Sequence, residues 1–268
     1  MIRTLFAFPR AGIHTALQCT SVAVCVLLWH VLTTYHVNLG VMNFSTVPSP
    51  AEVASAAWRL LESNKLWRHL SASLLRVGSG FGAAVLVGTV LGLLIGRWRW
   101  ARDSFLPALE VLRPIPAVAW IPLAILMFPS SEGSMIFITF IGALYPILLN
   151  TIHGAETVDR RLVAAARSLG TPPLRMFLEV ILPAAAPSIA TGFSVGMGTC
   201  WFCLITAEMM AGQYGIGYYT WESYTVQNFP DIIVGMLLIG GLGMASSVLV
   251  RRLMQSLTPW HRPGQGAQ

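Results

Sequence analysis

Asp159-Arg160-Arg161-Leu162-Val163-Ala164-Ala165-Ala166-Arg167-Ser168-Leu169-Gly170-Thr171-Pro172-Pro173-Leu174-Arg175-Met176-Phe177-Leu178-Glu179-Val180-Ile181-Leu182-Pro183 is an arginine-bearing interruption between two long apolar runs. Residues 160–169 are mostly good helix formers, and Gly170 can take the left-handed conformation that commonly ends a helix. Pro172 or Pro173 then fits the first turn of a second helix, where a missing N–H is tolerated. The stretch predicts a short helix held by two turns, with the small side chains of Ala164, Ala165 and Ala166 inviting close contact. Taken alone, it also reads as an ordinary interfacial loop.

The apolar runs on either side belong to a set. A bilayer-crossing helix needs about 20 mostly apolar residues, and residues 15–35, 77–96, 106–128, 134–153, 184–207 and 232–250 each meet or approach that length almost without charge. They predict six transmembrane helices. Composition agrees, because 55% hydrophobic and 10% charged residues leave too little charge to cover a soluble globule of 268 residues. Arg3 and Arg10 precede the first run as they would in a signal peptide, but no small-x-small cleavage site follows in residues 33–39, so the run reads as an uncleaved helix.

Arginines set the orientation. With a cytoplasmic N-terminus, the inner segments hold Arg3 and Arg10; Arg97, Arg99 and Arg102; Arg160, Arg161, Arg167 and Arg175; and Arg251, Arg252 and Arg262. The outer side keeps Arg59, Lys65, Arg68 and, at its margin, Arg76. This bias predicts both termini inside, and explains the net charge of +6 without nucleic acid as a partner. Arg76 apart, the outer positives fall within residues 49–70, where apolar Val53, Ala56, Ala57, Leu60, Leu61 and Leu66 alternate with charged residues at helical spacing. That segment reads as an amphipathic helix on the outer interface, either a linker or part of a docking surface.

Within the spans, Pro107, Pro114, Pro116 and Pro122 must bend or break the third helix. Such a break survives at membrane depth only where protein or a water-filled cavity satisfies the freed backbone. Arg113 beside it is either an anion-attracting pathway residue or an arginine snorkelling to the inner interface. Gly88, Gly92 and Gly96, Gly78 and Gly82, and Gly192 and Gly196 recur at fourfold spacing, which marks close helix packing. Glu208 closes the fifth span, and the Gln213-Tyr214-Gly215-Ile216-Gly217-Tyr218-Tyr219 that follows suits either an interfacial anchor or a tight outer loop.

No catalytic constellation emerges. A P-loop needs a lysine that reaches the terminal phosphates, and the only lysine, Lys65, lies in Ser63-Asn64-Lys65-Leu66. The four cysteines, Cys19, Cys25, Cys200 and Cys203, lack companions that would make a metal site, and His153 with Glu156 reads as a helix end. No cofactor or metal is expected. Apart from Glu110 and Arg113 the spans hold few ionisable groups, which disfavours a gradient-driven carrier, the main alternative.

The 159–183 stretch resembles the E-A-A-x(3)-G-x(9)-I-x-L-P loop of binding-protein-dependent ABC importer permeases, with Ala165, Ala166, Gly170, Leu182 and Pro183 matching, Val180 for isoleucine, and Ala164 where glutamate is usual. Leu112-Arg113-Pro114-Ile115-Pro116 with Trp120-Ile121-Pro122-Leu123, Tyr145-Pro146-Ile147-Leu148-Leu149-Asn150-Thr151, and Ala207-Glu208-Met209 before Gly215-Ile216-Gly217-Tyr218 narrow this to the nitrate/sulfonate/taurine/bicarbonate group, over about residues 48–253. The resemblance implies an all-α type I importer (MetI-like) permease fold with six spans. It also implies a second permease subunit, a cytoplasmic ATPase subunit and an extracytoplasmic solute-binding protein as partners, in a bacterial inner membrane. By it, residues 1–36 form a tail and first span, 37–70 the amphipathic segment, 71–255 the permease core with a coupling loop at 154–183, and 256–268 a tail. Ala164, Ala165, Ala166, Arg167, Ser168, Leu169 and Gly170 become the coupling residues. Arg113, Pro114, Pro116, Trp120, Trp201 and Glu208 become the pathway candidates for a small oxyanion.

Overall fold

The computed structural model describes residues 10–38, 40 and 43–260. Arg3 and Arg262, used above for orientation, lie outside the described residues. The chain divides into two units, Met1–Asn64 with Glu222–Val234, and Lys65–Trp221 with Gly235–Gln268. The helices in order are α1 (Arg10–Thr34), α2 (Pro50–Glu62), α3 (Asn64–Arg97), α4 (Arg99–Leu112), α5 (Ile121–Met127), α6 (Ser131–Glu156), α7 (Arg160–Ser168), α8 (Pro173–Arg175), α9 (Leu182–Ala211), α10 (Ile216–Thr225) and α11 (Phe229–Leu257). No strand occurs among the described residues.

In the first unit, α1 is an apolar rod whose Trp29 donates through Nε1 to the Pro48 carbonyl at 3.1 Å. Ser49 caps α2 in a capping box with Glu52, and Pro50 fills the first turn. The Ser49 backbone and side-chain hydrogen bonds hold the Glu52 carboxyl below its ordinary range. The amphipathic helix expected across residues 49–70 stops at Glu62: Ser63 turns extended, with φ −90° and ψ 144°. Lys65 and Arg68 open α3 instead, which therefore begins well before the expected start at residue 77.

The second unit is built on α3, α6 and α9. A Cβ added at Gly88 would lie 2.9 Å from Ile147 Cγ2, at Gly92 2.6 Å from Thr151 Cβ, and at Gly96 2.7 Å from Ala155 Cβ. The same register continues outward, where Gly80 meets Thr139 Cβ at 2.7 Å. Partners that advance together along both chains mean that α3 and α6 run parallel. Gly142 against Cys203, Gly192 against Asn150 and Gly154 against Ser188 advance in opposite senses, so α9 runs antiparallel to α6. The expected pair Gly78 and Gly82 meets nothing within 4 Å. The packed stripe is Gly80, Ala84, Gly88, Gly92, two residues on and so on nearly the opposite face of the helix.

Parallel α3 and α6 require the chain to recross between Arg97 and Ser131, and only α4 and α5 lie between them. Arg99–Leu112 and Ala117–Met127 are bent by 85° at the proline-bearing break. Counting this pair as one span, the described helices give six candidate crossings. Prolines 114 and 116 deprive the break of backbone donors, as expected. The expected fifth span is the middle of a longer rod, Pro173–Ala211. Its stretch Met176–Ile181 is π-helical, a local widening that accommodates the Pro183 ring against the carbonyl four residues back.

Gly92→Val forces a branched side chain into Thr151 and should cost about 1–3 kcal/mol, read as a lower thermal midpoint of the detergent-solubilised chain. Gly82→Val, facing open space, should leave that midpoint unchanged.

Candidate functional site

Three places in the second unit gather the residues singled out by sequence: the inner-face loop, a cavity beside the helix break, and the outer ends of the packed helices.

At the inner face, Asp159 caps α7 by accepting from the Arg161 N–H at 2.8 Å. The helix ends in a Schellman motif: the Gly170 N–H donates to the Arg167 carbonyl at 3.0 Å and the Thr171 N–H to the Ala166 carbonyl at 3.1 Å. Gly170 sits at φ +74°, a conformation an L side chain adopts only with strain. Pro173 then starts the next rod at its first position. The result is a nine-residue helix capped at both ends, with Leu162 on it and Leu169 at its C-cap exposed, at 52% and 86%. Its neighbours are held too, since Arg102 of α4 pairs with Glu156 at the C-terminus of α6 at 2.6 Å.

Beside the break, Arg113, Ile115, Pro116, Tyr145, Thr199 and Phe202 are among the residues lining a cavity of about 260 Å³. Apolar walls with a guanidinium and a few hydroxyls suit a small anion. Of the six pathway candidates, only Arg113 and Pro116 line it. Pro114 lies in the break itself. Trp120 is half-buried against the core, and its indole N–H lacks a partner among the described residues. Trp201 is buried and donates to Ser246 Oγ at 2.7 Å, joining α9 to α11.

Glu208 lies elsewhere, fully buried at the outer end of α9. Its Oε1 accepts from Arg76 Nη1 at 2.8 Å and from Ser73 Oγ at 2.7 Å, and its Oε2 from the Gly217 N–H at 2.9 Å. Arg76, 1% exposed, also grips Glu132 through Nε and Nη2 and donates to the Tyr214 carbonyl at 2.7 Å. Glu132 sits in the first turn of α6, where the helix dipole favours a carboxylate. The network thus clamps α3, α6, α9 and the 212–217 turn. Gly215 has φ +125° and packs so tightly on the Glu208 carboxylate that no Cβ fits. Arg76 is the functional residue that sequence reasoning missed, because it sits one residue outside a charge-free window. Its place four residues before Gly80, on the packed stripe, was the available signal.

Residues 84–262 match the family of binding-protein-dependent transport system inner membrane components. This chain belongs to that family. Among its relatives, the nitrate import permease protein NrtB of Synechocystis sp. is 32% identical over 89% of this chain and 88% of its own. The putative aliphatic sulfonates transport permease protein SsuC of Escherichia coli is 35% identical over 84% and 85%. A putative ABC transporter permease of Methanocaldococcus jannaschii is 35% identical over 90% of each chain. The permease therefore has the MetI-like all-α fold that the 159–183 loop and the ordered motifs led us to expect, and it is a multi-pass membrane protein.

Within the permease, Glu208 acts as an anchor of the outer turn. Glu208→Gln leaves Arg76 paired with Glu132 and the Tyr214 carbonyl but removes the buried carboxylate that Arg76, Ser73 and the Gly217 N–H share, and weakening hydrogen bonds to a charged group costs about 1.5–3 kcal/mol. We expect the thermal midpoint and membrane yield of Glu208→Gln to fall together. Arg68→Ala, which loses only an exposed contact to Tyr214, should change neither.

Proposed function

We propose that this chain is the membrane-spanning subunit of an ATP-driven importer for a small oxyanion of the nitrate, sulfonate or bicarbonate kind. Two copies pair in a bacterial inner membrane. A cytoplasmic ATPase subunit binds residues 160–172 of each, and an extracytoplasmic solute-binding protein delivers the anion from outside. The domain limits given above, with core 71–255 and loop 154–183, belong to this reading. So does the absence of ATP hydrolysis by this chain, whose single lysine, Lys65, lies far from any P-loop pattern.

The observation that carries the proposal is α7: a helix sealed by a cap and a Schellman motif, offering Leu162 and Leu169 outward between two long membrane rods. A short rigid helix joined to α6 on one side and to the Pro173–Ala211 rod on the other moves as a lever. Closure of the ATPase pair on nucleotide would carry α7, and α6 and α9 would pass that displacement to the cavity at Arg113. This is a two-state element biased by nucleotide. The names of the nitrate and sulfonate relatives, together with the guanidinium at an otherwise apolar cavity, favour a small anion as cargo.

The buried Arg76–Glu208 pair is the one observation favouring a gradient-driven carrier, since ionisable groups within spans serve proton relays. Uptake by liposomes holding this chain alone, driven by a gradient without ATPase, would support that reading.

Gly170→Trp should insert and fold, because the turn lies outside the spans, while substrate uptake and binding-protein-stimulated ATP hydrolysis both collapse. Normal uptake by Gly170→Trp would refute the lever. Arg113→Ala should slow uptake by about tenfold, the worth of a charge-assisted hydrogen bond, with ATPase assembly intact. Unchanged uptake kinetics would remove Arg113 from the pathway.

A further inference from the structure

A cavity of about 610 Å³ opens beneath α7, between the helix and the inner ends of α3, α4 and α6. This volume lies within the range of about 300–1,000 Å³ usual for small-ligand sites. Arg97 and Arg102 line it from the end of α3 and the start of α4, and Arg160 and Arg167 from α7; Glu156 is the sole carboxylate on its wall. Glu156 is already paired with Arg102. Arg97, Arg160 and Arg167 form no ion pair among the described residues. Three exposed guanidinium-bearing side chains without an ion-pair partner among the described residues line one space, and an anion there would offset their like charge.

The arrangement on α7 is directional. Arg160, Val163, Ala164 and Arg167 fall at i, i+3, i+4 and i+7, one face of a helix, and all four line the cavity. Leu162 and Leu169, which lie off that face, are the exposed apolar residues. The helix thus separates two jobs: an apolar side turned away and a basic side turned toward the ends of the membrane rods. Ala164 lines the same cavity with no more than a methyl group. A carboxylate there would occupy the space and satisfy the guanidinium groups; here the space stays open.

We propose that this cavity is a binding site for a phosphate-type anion, occupied in the membrane by the headgroup of an anionic phospholipid. Guanidinium groups match phosphate oxygens in a bidentate fork. The cavity lies where α3 and α6 end, at Gly96, Arg97, Ala155 and Glu156, which is the depth of the inner headgroups, and basic pockets between spans on that side take phospholipid headgroups. A bound phosphate would join α7 to the end of α3 from the membrane side. This goes beyond the importer reading and stands whether or not α7 meets an ATPase.

The test is native mass spectrometry of the full chain, delipidated in detergent and then offered phosphatidylglycerol, phosphatidylcholine or inorganic phosphate. The wild type should retain phosphatidylglycerol over phosphatidylcholine. Arg97→Gln and Arg160→Gln should each weaken retention about fivefold. Ala164→Glu should abolish the preference by placing a carboxylate in the cavity. Circular dichroism and thermal midpoints equal to wild type confirm folding, and Ala164→Glu keeps the test valid should an arginine variant fail to fold. If inorganic phosphate binds and is lost in the same variants without a phospholipid preference, the site is real and its occupant is a free anion. Equal retention of both phospholipids with no phosphate binding, or undiminished retention by Ala164→Glu and the arginine variants, overturns the site. Loss of bound phosphatidylglycerol when an ATPase subunit is added would overturn headgroup occupancy and assign the arginines to a protein carboxylate.

Discussion

Helix association within a bilayer lacks the aqueous hydrophobic drive and depends on how closely backbones approach. In this chain that approach is set by the stripe Gly80, Ala84, Gly88 and Gly92 of α3 against α6, and by Gly142, Gly192 and Gly196 between α6 and α9. Everything functional hangs from these three rods. Their parallel and antiparallel registers impose the crossing sense, force the 85° bent pair to serve as a span, and bring the arginine-bearing break beside Tyr145 and Thr199.

The two ends of the rods are finished differently. Outside, a desolvated clamp of Arg76, Glu208, Ser73 and the Gly217 N–H fixes the turn after α9, and its cost of burial is offset by four charge-assisted hydrogen bonds donated by Arg76 and two further donors to Glu208. Inside, α7 is held by its caps and by the chain on either side, with an open basic cavity beneath it.

Much of this was legible in the sequence. The charge-free windows located the spans, and Gly170 before Pro172-Pro173 located the short helix and its left-handed turn, because these features depend on local backbone chemistry. What depends on facing was less legible. Gly78 and Gly82 have the right spacing but the wrong azimuth, and Gly80 carries the contact. Glu208 read as a pathway candidate at the close of the fifth span because its partner, Arg76, lies over a hundred positions earlier in sequence. Trp201 read as a pathway candidate, whereas Ser246 on α11 claims its indole N–H. The break of the amphipathic segment at Ser63 is marked only by the cap-type pair Ser63-Asn64, which the helical spacing on either side overran.

The central claim is that α7 seats in an ATPase and moves with nucleotide. Ser168 lies exposed near the end of that helix, so its substitution by cysteine, Ser168→Cys, gives a direct probe in the assembled transporter. The account predicts that a bifunctional thiol reagent joins this cysteine to a cysteine placed along the ATPase groove, with a yield that changes between nucleotide-free and ATP-bound states. Absence of any ATPase crosslink from position 168, under conditions where the two subunits co-purify, would contradict it.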